Sequence, residues 1–300
     1  MYRIPRLVTM ALIGLIFLYP LHFTALPADH NVCERGCDFS EIQKAIDASD
    51  SGDNLLIHQG SFRTNLQIDK ELTLKGRSEG GTEIIGSHDF LPAILVGPSE
   101  ATVKLERLTV IDSAGSGIMV TGDASAELEE LSVRQSRLQG VKIQDSAQAV
   151  LSSCKILHND WLGIELSHSS TLVAVNSIIS GNKWGGVGLR GGAHGTLNHV
   201  QLSDNLNGAE AWNSATLVVN DSTIFKNSRG INVGDSARGF LENNEFRDNR
   251  LACTIRMKEC GFPSAPEEPA AELIGTGNRF YHNGTMLCPD TLDLGEERTD

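Results

Sequence analysis

Small residues standing just ahead of an apolar–x–apolar triplet recur along this chain at a fixed interval. Gly117, Gly140, Gly163 and Gly186 stand 23 residues apart, and Gly208, Gly230 and Ala252 follow at intervals of 22. The triplets behind them run from Ile118-Met119-Val120 through Val141-Lys142-Ile143, Ile164-Glu165-Leu166, Val187-Gly188-Leu189, Ala209-Glu210-Ala211 and Ile231-Asn232-Val233 to Cys253-Thr254-Ile255. Alternation of this kind is the signature of a strand whose outer residues face a core and whose middle residue faces out. The same register exposes a second strand, with inward columns Leu131, Cys154, Ser177, Val200, Ser222, Asn244 and Val133, Ile156, Ile179, Leu202, Ile224, Phe246. Three residues after the second column stands an asparagine in each repeat: Asn159, Asn182, Asn205, Asn227 and Asn249. Asparagines stacked in this way can pass hydrogen bonds from one repeat to the next, as a side-chain ladder beside the backbone one.

A single repeat of this length cannot bury its own apolar face, so the repeats must stack, at about 4.8 Å per coil. The pattern predicts an all-β solenoid of about 9–10 coils, each with two or three short strands. A leucine-rich repeat has a similar period, but its L-x-x-L-x-L signature is missing. Paired helices would need a longer period and helical spacing. At the N-terminal end, Asp38 to Ser49 reads as an amphipathic helix that plugs the open coil, with Asp38 as N-cap, Glu41 three residues on, and Ile42, Ala45 and Ile46 on one face. Near the other end, a segment from Met257 to Glu272 with three prolines is inserted, after which Phe280 and Asn283 resume the two columns 34 residues beyond Phe246 and Asn249. The expected organisation is a signal segment at 1–28, an N-terminal cap at 29–53, the solenoid at 54–284 and an acidic tail at 285–300, mobile from Thr291.

The first residues carry Arg3 and Arg6, an apolar run from Leu7 to Tyr19, and small residues at Ala25 and Ala28 that suit signal peptidase. The alternative, an uncleaved anchor, would need a run of roughly 20 apolar residues, and no second apolar stretch follows. A secreted or periplasmic protein without a transmembrane segment after cleavage is therefore expected. The chain has a net charge of −13, and removal of the two leader arginines makes it more negative. Such a chain repels nucleic acid and anionic membranes. It would repel pectate or alginate too unless bound calcium or a local basic cleft intervened, which makes neutral glycans the easier partner.

The run FSEIQKAIDASDSGDNLLIHQGSFRTNLQIDKELTLKG, beginning at Phe39, resembles the N-terminal segment of pectin-lyase-like right-handed parallel β-helix proteins, and the coils after it look like their generic repeats. The resemblance covers Asp38 to Asn283 and implies a right-handed parallel β-helix with a short N-terminal capping helix. It implies no single activity, because that superfamily includes lyases, hydrolases, esterases, epimerases, binding modules and periplasmic accessory proteins. The family's catalytic motifs are missing. There is no paired D-D or R-I-K of polygalacturonases, no G-x-x-D-F-I-F-G of methylesterases, no D-P-H-D of mannuronan epimerases and no R-x-P-x-x-R of pectate lyases. His194 in AHGTLN and the basic Arg256-Met257-Lys258 lack the frames that would give them such roles. The register sorts the cysteines: Cys154 and Cys253 fall in inward columns, leaving Cys33–Cys37 and Cys260–Cys288 as the expected disulfides, permitted by export. Neither pair has zinc-ligand spacing, so no metal is expected, and no cofactor.

One outward constellation carries chemistry. Glu165 and Glu210 stand two coils apart in the first strand column, about 9–10 Å between backbones, with Gly188 expected to leave a dip between them. Inverting glycosidases hold their acid and base about 6.5–9.5 Å apart; two solvated glutamates are the plain alternative. All three tryptophans fall beside this column. Trp161 and Trp184 hold equivalent turn positions, and Trp212 follows the Glu210 strand. Indoles can stack on sugar faces, or can simply fold over the coil as packing. His168 and Arg190, in turns beyond the strands, either orient a substrate or face solvent as turn residues; Asp145, Asn213 and Asp235 read as repeated Asx turns. The reading is a monomeric carbohydrate-binding or surface-interaction solenoid, for a polysaccharide or cell-envelope glycan, without recognisable catalysis. The alternatives are a polysaccharide hydrolase or lyase using Glu165 and Glu210, and a periplasmic accessory protein of the copper-assembly kind.

Overall fold

The computed structural model describes residues 26–77, 81–87, 90–267, 270–295 and 297–298; of the expected signal segment, residues 1–25 lie outside them. Each regular coil lays down three short strands, and the coils stack into three parallel sheets of 10, 11 and 11 strands. One coil illustrates the pattern: Val141–Ile143 joins the front sheet, Gln148–Ser152 the second and Lys155–Leu157 the third. Its partner in every case is the residue 23 positions on, with Val141 against Ile164, Leu151 against Ala174 and Ile156 against Ile179. The repeat interval is thus the circumference of the coil. Alternating residues of all three sheets point inward and make one continuous apolar core, including the columns of Ile118, Val141, Ile164 and Val187.

The turn between the third and front sheets carries the asparagine ladder. Asn182 Oδ1 accepts from both the backbone N–H and the amide of Asn159 (3.0 and 2.9 Å), Asn205 Oδ1 accepts from both of those groups of Asn182 (2.9 and 3.2 Å), and Asn227 and Asn249 repeat the arrangement. Asn283 closes the run below Asn249, as its column position implied, and Ser136 enters it above Asn159 by its backbone N–H. The recurrent glycines are its counterpart. A methyl group at Gly140 would lie 2.7 Å from the Asn159 amide, and one at Gly163 would lie 2.8 Å from that of Asn182. The inward column holding Ser177, Ser222 and Asn244 is buried as expected and also carries a second, mixed ladder, in which Ser222 N–H donates to Asn244 and Asn244 N–H to Asn278. Short polar side chains are tolerated in the wall because each reaches a backbone group of the adjacent coil.

Both ends are closed. The helix spans Ile42–Ala48, with Glu41 rather than Asp38 at its N-cap and no side-chain cap bond. Asp38 instead accepts from the backbone of Asn31 at 2.8 Å, tying the incoming segment down, which is why it is unavailable as a cap. Ile42, Ala45 and Ile46 are buried as expected. Gln43 from this helix bonds both backbone groups of Gln67, on the first strand of the front sheet, so a side chain stands in for the missing neighbour at that edge. The cap contributes a strand as well, Asp29–Val32 against Asn54–Ile57. At the far end the described residues of the expected tail join the stack, including Leu294, Glu297 and Arg298 from the part expected to be mobile. Thr285–Cys288 pairs with the front sheet, Glu297–Arg298 with the third, and Leu294 is fully buried over the last coil with its carbonyl bonded by Asn278. Disulfides join Cys33 to Cys37 and Cys260 to Cys288.

Replacing Asn205 by Ala strands the buried N–H of Asn182 and removes the side-chain donor to the Ile179 carbonyl. The expected cost is about 1–3 kcal/mol per stranded group, read as a lowered midpoint in urea denaturation, with the fold retained by circular dichroism.

Candidate functional site

The front sheet's outward column forms a floor running along the solenoid: Lys142, Glu165, Gly188, Glu210, Asn232 and Thr254. The two glutamates do not face each other across an open dip. Leu162, fully buried, lies so that a methyl at Gly188 would sit 2.8 Å from it, and the Glu210 carboxylate approaches the same glycine from the other side. The gap expected between the carboxylates is filled by hydrocarbon. Glu165 is held by the amide of Gln139 and does not border the cleft described next.

That cleft, of about 470 Å³, lies farther along the floor. Trp184 and Leu206 come from the turn on one side, and Arg190, Trp212 and Arg256 from the turn on the other, with Asn207, Glu210, Arg229 and Asn232 between. Three arginines thus meet two carboxylates, Glu210 and Asp235, in a chain whose overall charge is −13. The cleft is locally basic, the condition under which the chain's overall acidity need not repel an anionic partner.

Glu210 is the most constrained group. It is 2 % exposed, accepts from Asn207 Nδ2 at 2.8 Å, and lies 3.2 Å from Arg190 Nη2. Burial pushes its carboxyl above the ordinary value against the pull of Arg190, of the nearby Trp212 indole and of Asn207, and the negative charge of Glu165 adds to the rise. Trp212 Nε1 favours that carboxylate yet reaches no hydrogen-bonding geometry with any partner. Among the described residues, five buried side-chain nitrogen or oxygen atoms lack a partner, and four of them belong to this cleft: Asn207 Oδ1, Trp212 Nε1, Arg229 Nε and Asn232 Oδ1. Unpaired buried polar atoms are rare in folded proteins and costly, so their convergence sets this cleft apart among the described residues.

The aromatic groups divide. Trp161 and Trp184 stack at 5.7 Å with planes 33° apart, 43 % and 50 % exposed, but only Trp184 reaches the cleft. Trp212 lies flat on the next coil's turn, where a methyl at Gly234 would collide with its ring at 2.3 Å, and Arg256 sits 5.5 Å from the ring centroid. His168 is outside the cleft, at φ 60° in a column of left-handed turn residues with Asp145, Gly191, Asn213 and Asp235. Its Nδ1 accepts from the Asp145 backbone at 3.2 Å, the same bond that Asn213 makes to Gly191 one turn on, so it is a turn residue. Asn207, Arg229, Asn232, Arg256 and Phe262 went unread as site residues. Asn232 and Arg256 stand at the register positions of Glu210 and Trp212 and were findable; Phe262 lies in the insertion, where no register applies.

The family description "Right handed beta helix region" matches residues 92–251 and 148–288. The chain belongs to that family. Among solved structures this β-helix protein is similar to pectate lyase Pel9A, at 12 % identity and a TM-score of 0.66, covering 91 % of this chain and 79 % of that one. It is also similar to an alginate lyase from Paenibacillus sp. str. FPU-7, at 11 % identity and TM-score 0.54 over 87 % and 97 % of the two chains. A third similar structure is the periplasmic alginate epimerase AlgG, at 13 % and 0.53 over 82 % and 76 %. At these identities the likeness is one of fold. No curated protein sequence matches the chain. Among the described residues no cluster of histidine, cysteine and acidic groups suits a metal ion, and no helix is long and apolar enough to cross a membrane.

Two outcomes follow from this geometry. Because the folded-state value of Glu210 is raised, its carboxylate opposes folding increasingly as pH climbs from the ordinary glutamate value, about 4.3, through the folded-state value. Glu210→Gln is therefore expected to raise the melting temperature at pH 7, with the gain shrinking to nothing as pH falls toward about 4. Gly234→Ala is expected to dislodge Trp212 and cost about 1–3 kcal/mol, seen as a red shift in emission when Trp161 and Trp184 are both Phe.

Proposed function

We propose that this chain is an exported glycan-binding β-helix protein whose cleft takes an acidic sugar chain. The observation that carries the reading is the meeting of Arg190, Arg229 and Arg256 with four unpaired buried polar atoms and two indoles in one cleft. Arginine forks suit carboxylates, indole faces suit the apolar faces of sugar rings, and unpaired amides suit hydroxyls. Similar folds that are named as pectate and alginate enzymes support an anionic polysaccharide as the ligand class. The two disulfides support a secreted or periplasmic setting.

Calorimetry with polygalacturonate and alginate, against neutral galactan and xyloglucan, tests the reading. The acidic polymers are expected to bind and the neutral ones not, with affinity falling as salt rises. Arg229→Ala combined with Arg256→Ala is expected to weaken binding at least tenfold, about 1.4 kcal/mol. Equal binding of neutral polymers, or arginine variants that bind as tightly as the parent, would refute it.

A catalytic reading has one observation in its favour: a buried carboxyl with a raised proton affinity, 3.2 Å from Arg190, on the cleft floor. It acts without Glu165, which lies outside the cleft. Release of reducing ends or unsaturated products by the parent and not by Glu210→Gln is the outcome this reading requires.

A further inference from the structure

The cleft is blocked at one end by a single ring. Arg229 starts the strand Arg229–Val233 and Arg256 follows the end of the strand Leu251–Ile255, so the two arginines rise from opposite edges of the front sheet. Phe262, from the insertion, reaches both: its centroid is 4.9 Å from the Arg229 guanidinium carbon and 5.9 Å from that of Arg256. The ring therefore bridges the two walls above the floor. Below it the floor is buried, with Asn232 2 % and Thr254 0 % exposed at outward positions of their strands, as Glu210 is at 2 %.

The bridge is built to stay in place. Cys260, two residues from the ring, is bonded to Cys288 in the final front-sheet strand. The turn at Lys258–Cys260 ends in a left-handed Gly261, Ala265 is buried and bonds back to the Phe262 carbonyl at 2.9 Å, and Lys258 pairs with Glu267. At the other end of the cleft, Trp184 is half exposed and Arg190 stands on the opposite side of the floor, its side chain 42 % exposed.

We infer that the cleft recognises the end of an acidic glycan chain rather than its interior, with Phe262 as the stop against which the terminal residue lodges. The inference rests on the acidic-glycan reading and narrows its ligand to chain termini. A polymer threading along the floor would have to pass through the Arg229–Phe262–Arg256 bridge, whereas a terminus can enter from the Trp184 side and present its carboxylate to the two guanidiniums beside the ring.

Size-fractionated polygalacturonate and alginate, from short oligomers to long chains, test this by binding stoichiometry in calorimetry and by sedimentation of the complexes. The expected result is one protein per chain terminus of the recognised type at every length. For Phe262→Ala, and for the double variant Cys260→Ser with Cys288→Ser, the number of proteins per chain is expected to grow with chain length, because the stop is removed in the first and released in the second. The double variant keeps the ring itself, and circular dichroism checks that each variant retains its strands. A parent protein that loads long chains with many copies overturns end recognition while leaving the acidic-glycan reading intact. Folded variants that still bind one per chain overturn the role of Phe262. Failure of the parent to bind either series at any length overturns both.

Discussion

The amide of one asparagine per coil, bonded to the asparagine of the next, is the interaction on which the rest of the molecule depends. From Asn182 onward each Oδ1 takes two donors from the preceding coil while its Nδ2 reaches a carbonyl of the coil wall, as Asn205 does to Ile179. That geometry holds only when like residues lie directly over one another, so it penalises any slip of register that the apolar core alone would tolerate. It also needs space, and the glycine column supplies it: the methyl groups missing at Gly140 and Gly163 are where the neighbouring amides lie. Two columns that look unrelated in the sequence are two halves of one contact.

With the register held, the outward face can carry groups that do not favour folding. Glu210 is buried with a raised proton affinity, Arg229 has its guanidinium partly desolvated beside Arg250, and four polar atoms nearby go without partners. None of these aids the stack. They are concentrated in coils whose interiors are fully apolar or laddered, where Ala209, Ile231 and Cys253 are wholly buried. Local cost of this kind, carried by a regular frame, is what the proposed binding role would require.

The architecture was legible because a solenoid repeats its core. The triplets, the inward columns and the Asn159-to-Asn249 series are each read several times over, and the structure pairs those residues at the spacings the chain announces. The ends were less legible, since a terminal coil occurs once. Asp38 has the look of a cap but is occupied by Asn31, and the acidic tail conceals Leu294, whose burial has no periodic partner to predict it. The site was legible in part. Register aligned Glu210, Trp212 and Arg190 on one face, but it also suggested a space at Gly188 that depends on where Leu162 turns its side chain, which spacing cannot reveal. Phe262 was hidden because the segment carrying it belongs to no column.

That segment stretches the interval from Asn249 to Asn283 to 34 residues, yet the bonds between the two are 3.0 and 3.1 Å, no different from those across a coil of ordinary length. The stack counts coils, not residues. A turn can therefore swell, shrink or be exchanged while the strands on either side stay in step, so sequence change at the rim is decoupled from the integrity of the shaft. In such a molecule what is bound can drift quickly through turn lengths, at almost no expense to folding, while the scaffold that presents those turns stays the same.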